Sequence, residues 1–248
     1  IVGIYNYCDR WCERCTFTSR CAVYEDETNL TPEEMDMQNK AFWDRIARNF
    51  MKAQELLQKA AQHFGTDLEN LPDEPEDVLE RKERIKIESR HHPISKLTLQ
   101  YSGMARDWLK TQPGMLGRLD SLKTELTLGV ESTDGARKET GIIRDSLTVI
   151  QWYMTFIHVK LVRALMGKMK DDGWEEEEGF QRDFDGSAKI ALIGIERSTQ
   201  AWLSLFDILP EKEDDFLKVL AILEKIKSMV KQEFPKAEAF IRPGFDEN

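Results

Sequence analysis

Cys8, Cys12, Cys15 and Cys21 are the only cysteines of the chain, and all lie within its first 21 residues. Their spacing is C-x3-C-x2-C-x5-C, in the run Tyr-Cys-Asp-Arg-Trp-Cys-Glu-Arg-Cys-Thr-Phe-Thr-Ser-Arg-Cys. Thiolates are soft metal ligands, and four of them in so short a stretch form a metal-site signature. A structural zinc draws four ligands to about 2.3 Å from one atom and usually takes them from two separated pairs. No second, downstream pair exists here. A cubane [4Fe–4S] cluster offers a different iron to each thiolate, which suits closely spaced cysteines. The expected cofactor is therefore a [4Fe–4S] cluster on Cys8, Cys12, Cys15 and Cys21. Zn2+ on the same four residues is the alternative, and disulfides or free thiols are a third reading. Arg10, Arg14 and Arg20 lie between the cysteines and would offset the negative charge of a thiolate site. Tyr7, Trp11 and Phe17 would shield such a site or pack the segment onto the rest of the chain.

Two partial resemblances bear on the ligand geometry. Cys12, Cys15 and Cys21, spaced C-x2-C-x5-C, resemble the end of the cluster loop in helix-hairpin-helix DNA glycosylases, although the gap preceding them is three residues where that family has six. Cys8, Cys12 and Cys15, spaced C-x3-C-x2-C, resemble the radical-SAM cluster motif. That family's alternating strand–helix barrel pattern is missing, and Cys21 would occupy the iron it leaves open. Each resemblance covers about 14 residues and carries ligand geometry alone.

Further side chains have types and spacing suited to chemistry. Glu88 and His91 form an E-x-x-H pair on one helix face, as in di-metal bundles, which use that pair twice with two further glutamates. His158 and Glu196, each in an apolar stretch, would complete a di-metal oxidoreductase site. The competing reading places His91 at a helix end, bonding terminal carbonyls ahead of Pro93. A polar seam of Arg144, Gln151, Tyr153, His158, Glu196 and Gln200 is the best candidate for a small-molecule pocket. In that seam Arg144, Gln151, His158, Glu196 and Gln200 would bind the cofactor or ligand, and Arg144 or Arg163 would neutralise Glu196. The plain alternative is a satisfied buried polar network, with His158 hydrogen-bonded in the core. No Walker motif, Gly-rich dinucleotide loop or G-x-S-x-G elbow is present. The acidic run Glu175–Glu178 lacks the ligand alternation of a calcium loop.

Helices must position these groups. Thr31-Pro32-Glu33-Glu34 is a capping box, predicting one helix from there to Phe64, closed by Gly65. Phe42, Ile46, Phe50, Ala53, Leu57 and Ala60 recur along it at spacings of three and four. Residues 65–75 read as a linker. Further helices are expected over 76–90, 94–110 and 116–128, then over 141–169, 186–209 and 211–234, with loops at 129–135 and 170–185. The stretch 141–169 is apolar almost all round and reads as the central, most buried helix. The tail 240–245 carries Phe240 and Phe245, which predicts a docked end. The fold class expected is all-α. It is an antiparallel bundle of about five to seven helices with an irregular N-terminal four-cysteine metal-binding segment. Residues 1–30 would form the cysteine segment and 31–248 the helical domain, packed as one.

The bulk numbers narrow the function. In 248 residues, 45 acidic side chains outweigh 35 basic ones for a formal charge of −10, which opposes a nucleic-acid footprint. No stretch reaches the ~20 apolar residues that span a bilayer, so no membrane partner is expected. The start at Ile1 shows no secretory signal, although a leader removed before it is compatible with the missing methionine. In a chain of this size, the lack of a signal makes a reduced compartment, the cytoplasm, the expected location. The function expected is that of a metal-binding helical protein with a cluster in an electron-transfer or structural role, serving a protein partner not identified by the sequence. The alternatives are a zinc-stapled interaction scaffold and the di-metal oxidoreductase. Substrate and oligomeric state are not legible.

Overall fold

The Thr31 box forms as expected: its side chain accepts from the Glu34 N–H, and the Glu34 carboxylate accepts from the Thr31 N–H. The helix it opens is short, however. In the computed structural model, which describes residues 3–68, 75–111, 134–209 and 212–246, this helix covers only Pro32–Met35 (α2), after a first helix at Ala22–Thr28 (α1). Asp36 turns the chain extended, and its carboxylate accepts from the Gln38 N–H at 2.9 Å. Asn39 then caps a new helix, Lys40–Phe64 (α3), by accepting from the Ala41 N–H. The single helix expected over 31–64 is thus two, because Asp and Asn side chains bond nearby backbone and compete with helix. Gly65 closes α3 in the left-handed conformation at φ 65°.

The later helices are Glu76–His91 (α4), Pro93–Lys110 (α5), Asp134–Lys170 (α6), Trp174–Glu177 (α7), Asp183–Ile208 (α8) and Glu213–Glu233 (α9). The helix expected over 116–128, and most of the loop expected over 129–135, lie outside the described residues. Among the described residues no strand occurs and the chain is all-α, as predicted. The stretch 170–185 is not all loop, since α7 forms within it.

The chain divides into two compact units, one of Ile1–Tyr5 with Arg10–Lys82 and one of Asn6–Asp9 with Glu83–Asn248. In the second unit α6 packs against α5 and α8, and α9 packs against α5 and α8. Contacts run in opposite order along α6 and α8: Arg163 meets Asp183, and Tyr153 meets Arg197. They do the same along α8 and α9, where Phe184 lies 6.1 Å from Phe234 and Trp202 5.9 Å from Phe216. Neighbouring helices there are therefore antiparallel.

α8, rather than α6, carries the core. Ala188, Ile190, Ala191, Ile195, Trp202 and Leu205 are all buried on it. Small residues let its neighbours close in: a Cβ on Gly194 would lie 3.0 Å from the Tyr153 ring, and one on Gly167 of α6 would lie 3.0 Å from Phe184 Cβ. α6 is buried along one stripe, Ile143, Ile150, Tyr153, Ile157 and Leu161, while Val159 on another side is exposed. Trp108, Trp202 and Phe216 join α5, α8 and α9 in an aromatic cluster, with the two indoles edge-on and Phe216 tilted against both. The tail docks as predicted: Phe240 is buried, and Lys189 bonds the Phe240 carbonyl and, at 2.8 Å, Asp246.

Candidate functional site

Cys8 lies in a four-residue strap, Asn6–Asp9, that folds with the helices of the second unit. Its two neighbours in sequence are both anchored there. The Tyr7 hydroxyl donates to Asp183 Oδ1 at 2.9 Å, and Arg163 grips the same carboxylate at 2.9 Å. Burial and the Asp183 charge together push the Tyr7 phenol far above its ordinary range, so it stays a donor. The Tyr7 ring meets Phe240 edge-on at 4.7 Å. Both rings sit over Gly186, where a Cβ would come within 2.6 Å of Phe240 Cζ and of Tyr7 Cδ1. Only glycine leaves that slot open. On the other side of Cys8, the Asp9 carboxylate accepts from the Tyr153 hydroxyl at 2.5 Å and from Arg197. The Trp152 indole N–H donates to the Asp9 carbonyl at 3.0 Å. Tyr153 belongs to the polar seam read from the sequence, but these anchors are not legible there, because Tyr7 and Asp9 stand about 140 to 190 residues from their partners.

Cys12, Cys15 and Cys21 belong to the first unit. Arg10, just before them, takes the left-handed conformation at φ 59°, which non-glycine residues seldom adopt. A 3-10 turn over Cys12–Arg14 closes with the Cys15 N–H on the Cys12 carbonyl at 3.1 Å, and a second over Thr18–Arg20 closes with Cys21 on Thr18 at 3.2 Å. The Phe17 N–H donates to Cys15 Sγ at 3.4 Å. Arg14 lies 4.0 Å over the Trp11 ring and Arg20 5.5 Å over Phe17. These guanidiniums stack on rings placed between the cysteines. All four cysteines are half-buried thiols. Among the described residues, no group of three or more His, Cys, Asp or Glu side chains is gathered within reach of one metal ion. The fit of the segment to a metal therefore rests on its local turns and its sulfur hydrogen bond.

The remaining candidates are placed as follows. Arg144, Gln151, Glu196 and Gln200 are exposed, and His158 is half-buried. Glu196 pairs with Lys227 at 3.7 Å, whereas Arg163 is taken by Asp183. His158 Nδ1 lies 2.8 Å from Thr98 Oγ1, whose hydrogen goes to the Ser95 carbonyl. The imidazole nitrogen is thus the donor, and burial pushes the His158 pKa below its ordinary value. Glu88 is exposed, and His91 Nδ1 lies 2.8 Å from the Ile87 carbonyl at the end of α4. His91, His158 and Glu196 each have a partner outside the proposed di-metal set.

A cavity of about 370 Å3 went unnoticed in the sequence. Phe180, Phe240, Arg182, Lys236, Glu176 and Asp185 line it. Arg182 is held by Asp171 and Glu176, and Lys236 by Glu176 at 2.9 Å. Asp185 is only 4% exposed, and burial raises its pKa against the pull of Lys236, Arg182 and Lys168. In sequence Asp185 falls at the end of the stretch 170–185 that reads as loop, so nothing marks it. No helix among the described residues is long and apolar enough to cross a membrane. Comparison with known protein families, curated proteins and solved structures gives no match.

Proposed function

We propose that Cys8, Cys12, Cys15 and Cys21 hold a metal centre, a [4Fe–4S] cluster, in a helical protein that passes electrons to a protein partner or uses the cluster as a structural clasp. One observation carries this reading: the Phe17 N–H bond to Cys15 Sγ in the turn that follows Cys12. Amide donors at sulfur stabilise metal-bound thiolate and tune the potential of a cluster. The anchoring of Tyr7 and Asp9 on either side supports the reading, because it fixes the backbone of the first ligand. A bound cluster would supply one-electron transfer. Arg10, Arg14 and Arg20 would balance its charge. Four unbridged thiols fit a reducing compartment, the cytoplasm, and the acidic balance fits a partner other than nucleic acid.

Zinc on the same residues is the second reading, favoured by the tight closure of the Cys12–Cys15 turn. It makes the protein a stapled interaction scaffold. Elemental analysis of anaerobically purified protein, paired with its visible spectrum, tests both. About four iron per chain and a broad band near roughly 400 nm are expected for the cluster. About one zinc without colour assigns the scaffold. Protein that binds neither metal overturns the proposal. Cys12→Ser and Cys15→Ser should each lose the metal while the helical content holds.

A further inference from the structure

α3 carries a seam that the described residues leave exposed. Only Ala61 is buried along its 25 residues. Trp43 is 60% exposed, Phe50 73%, Leu57 57% and Phe64 78%. A helix this bare gains little from its own unit, and isolated helices are marginal in water. Its apolar residues are nevertheless highly ordered in sequence. Trp43, Ile46, Phe50, Ala53, Leu57, Ala60 and Phe64 follow one another at three, four, three, four, three and four residues. That is an unbroken heptad a/d pattern over three heptads.

The sizes along this seam say what covers it. The a positions are large (Trp43, Phe50, Leu57, Phe64), and the d positions are Ile46, Ala53 and Ala60. Two parallel copies would stack Phe50 on Phe50 and Ala53 on Ala53, so layers would alternate between overfilled and hollow. Two antiparallel copies place each a opposite a d. Trp43 then faces Ala60 of the partner subunit, Phe50 faces Ala53 of the partner subunit, and Ile46 faces Leu57 of the partner subunit. Each pairing recurs by the two-fold symmetry, giving six layers of even volume. Between Phe42 and His63 the flanking e and g positions are Phe42, Ala47, Asn49, Gln54, Leu56, Ala61 and His63, none of them an acid, a lysine or an arginine. Lys40, the e position at the start of α3, falls at opposite ends of two antiparallel copies, so no like charges meet when they approach. The charges of α3, including Asp44, Arg48, Lys52, Glu55 and Lys59, lie at the outer positions.

We infer that the chain forms a homodimer through an antiparallel coiled coil of α3 with α3 from a second copy. The partner is a second copy of this chain rather than a different protein, because the seam from Trp43 to Ala60 is complementary to itself when reversed. This inference is independent of the metal reading. Sedimentation equilibrium of the full chain over about 1–100 µM tests it, with dimer expected across the upper part of that range. A monomer throughout overturns it, and a monomer that Phe50→Glu destabilises assigns the seam to an intramolecular cover instead. The double variant Phe50→Glu/Leu57→Glu should raise the dimer dissociation constant by at least ~100-fold while far-UV circular dichroism shows the other helices intact. A dimer unchanged in that variant overturns the inference. Ala53→Phe reads the orientation without adding charge. It overfills two antiparallel layers and should weaken the dimer at least ~10-fold, whereas a tighter dimer would mean parallel strands and sink the antiparallel assignment.

Discussion

α3 and α8 differ by one residue in length, 25 against 26, and both carry a strong apolar pattern. Their surroundings are opposite. α8 is walled in by α6 and α9, with Ala188, Ile195, Trp202 and Leu205 buried, while α3 leaves Phe50 and Phe64 in solvent. The difference lies in the kind of residue between the apolar ones. α8 interleaves Gly186, Ala188, Ala191, Gly194 and Ser198, which let neighbouring backbones approach within its own unit. α3 separates its seam with Asp44, Arg48, Lys52, Glu55 and Lys59, which keep every face but one in water. Periodicity tells that a helix has an apolar face; the residues beside that face tell how many neighbours it can take.

Substitutions in the two helices test the contrast, and the largest effect belongs to α8. Gly186→Ala forces a methyl group into the Tyr7 and Phe240 rings, and the expected loss is on the order of 3 kcal/mol, read as a fall in chemical-denaturation midpoint. A neutral result would mean that the strap does not seat on α8. Leu205→Ala, at a fully buried position, should cost about 2–5 kcal/mol. The matched change Leu57→Ala in α3, at an exposed position, should cost under about 0.5 kcal/mol in dilute monomer. Equal costs at the two sites would abolish the contrast.

Two smaller effects come from titration. The folded state lowers the His158 pKa from 6.5, so its contribution is present above that value and lost as pH falls below it. Melting temperature should therefore drop by a few degrees on acidification from about pH 7.5 to 5.5, and His158→Gln should flatten part of that slope. For Asp185 the sign is reversed. Its folded pKa lies above 3.8, so ionisation costs stability at neutral pH and not in acid. Asp185→Asn should raise the melting temperature by about 2–4 °C at pH 7 and change little near pH 3. A neutral-pH loss instead would mean that the ionised carboxylate is bound by a neighbour.

Much of the helical order was legible because it is local. The limits of α5 and α9 follow from Pro93, the apolar runs and the acids that open α9, whereas α8 begins at Asp183, three residues ahead of the apolar run that marks it in sequence. Residues 31–64 misled because the capping box at Thr31 is a complete local signal, while Asp36 and Asn39, which end one helix and begin another, are weak in isolation. The cysteines stand out in the sequence by their spacing, yet among the described residues no three His, Cys, Asp or Glu side chains gather within reach of one metal ion. The polar seam was not: Arg144, Gln151 and Glu196 fall among apolar neighbours in sequence, yet a helix rotates them to its outer side. Asp9 and Asp185 carried no signal, and Tyr7 only that of an aromatic expected to pack, because what distinguishes them is a partner or a cavity wall far along the chain.

The strap has a further consequence for how the second unit is built. Asn6–Asp9 is held like a bound peptide, with Tyr7 filling the Gly186 slot and Asp9 neutralising Arg197. A chain beginning at Glu83 would keep α5 to α9 and the second half of α4, and lose these four residues. It would leave Asp183 facing only Arg163 and the Tyr153–Arg197 pair without its carboxylate. The missing piece is short enough to supply separately. A synthetic peptide covering residues 3–11 would then complement the truncated chain in trans, turning a fold contact into a measurable affinity.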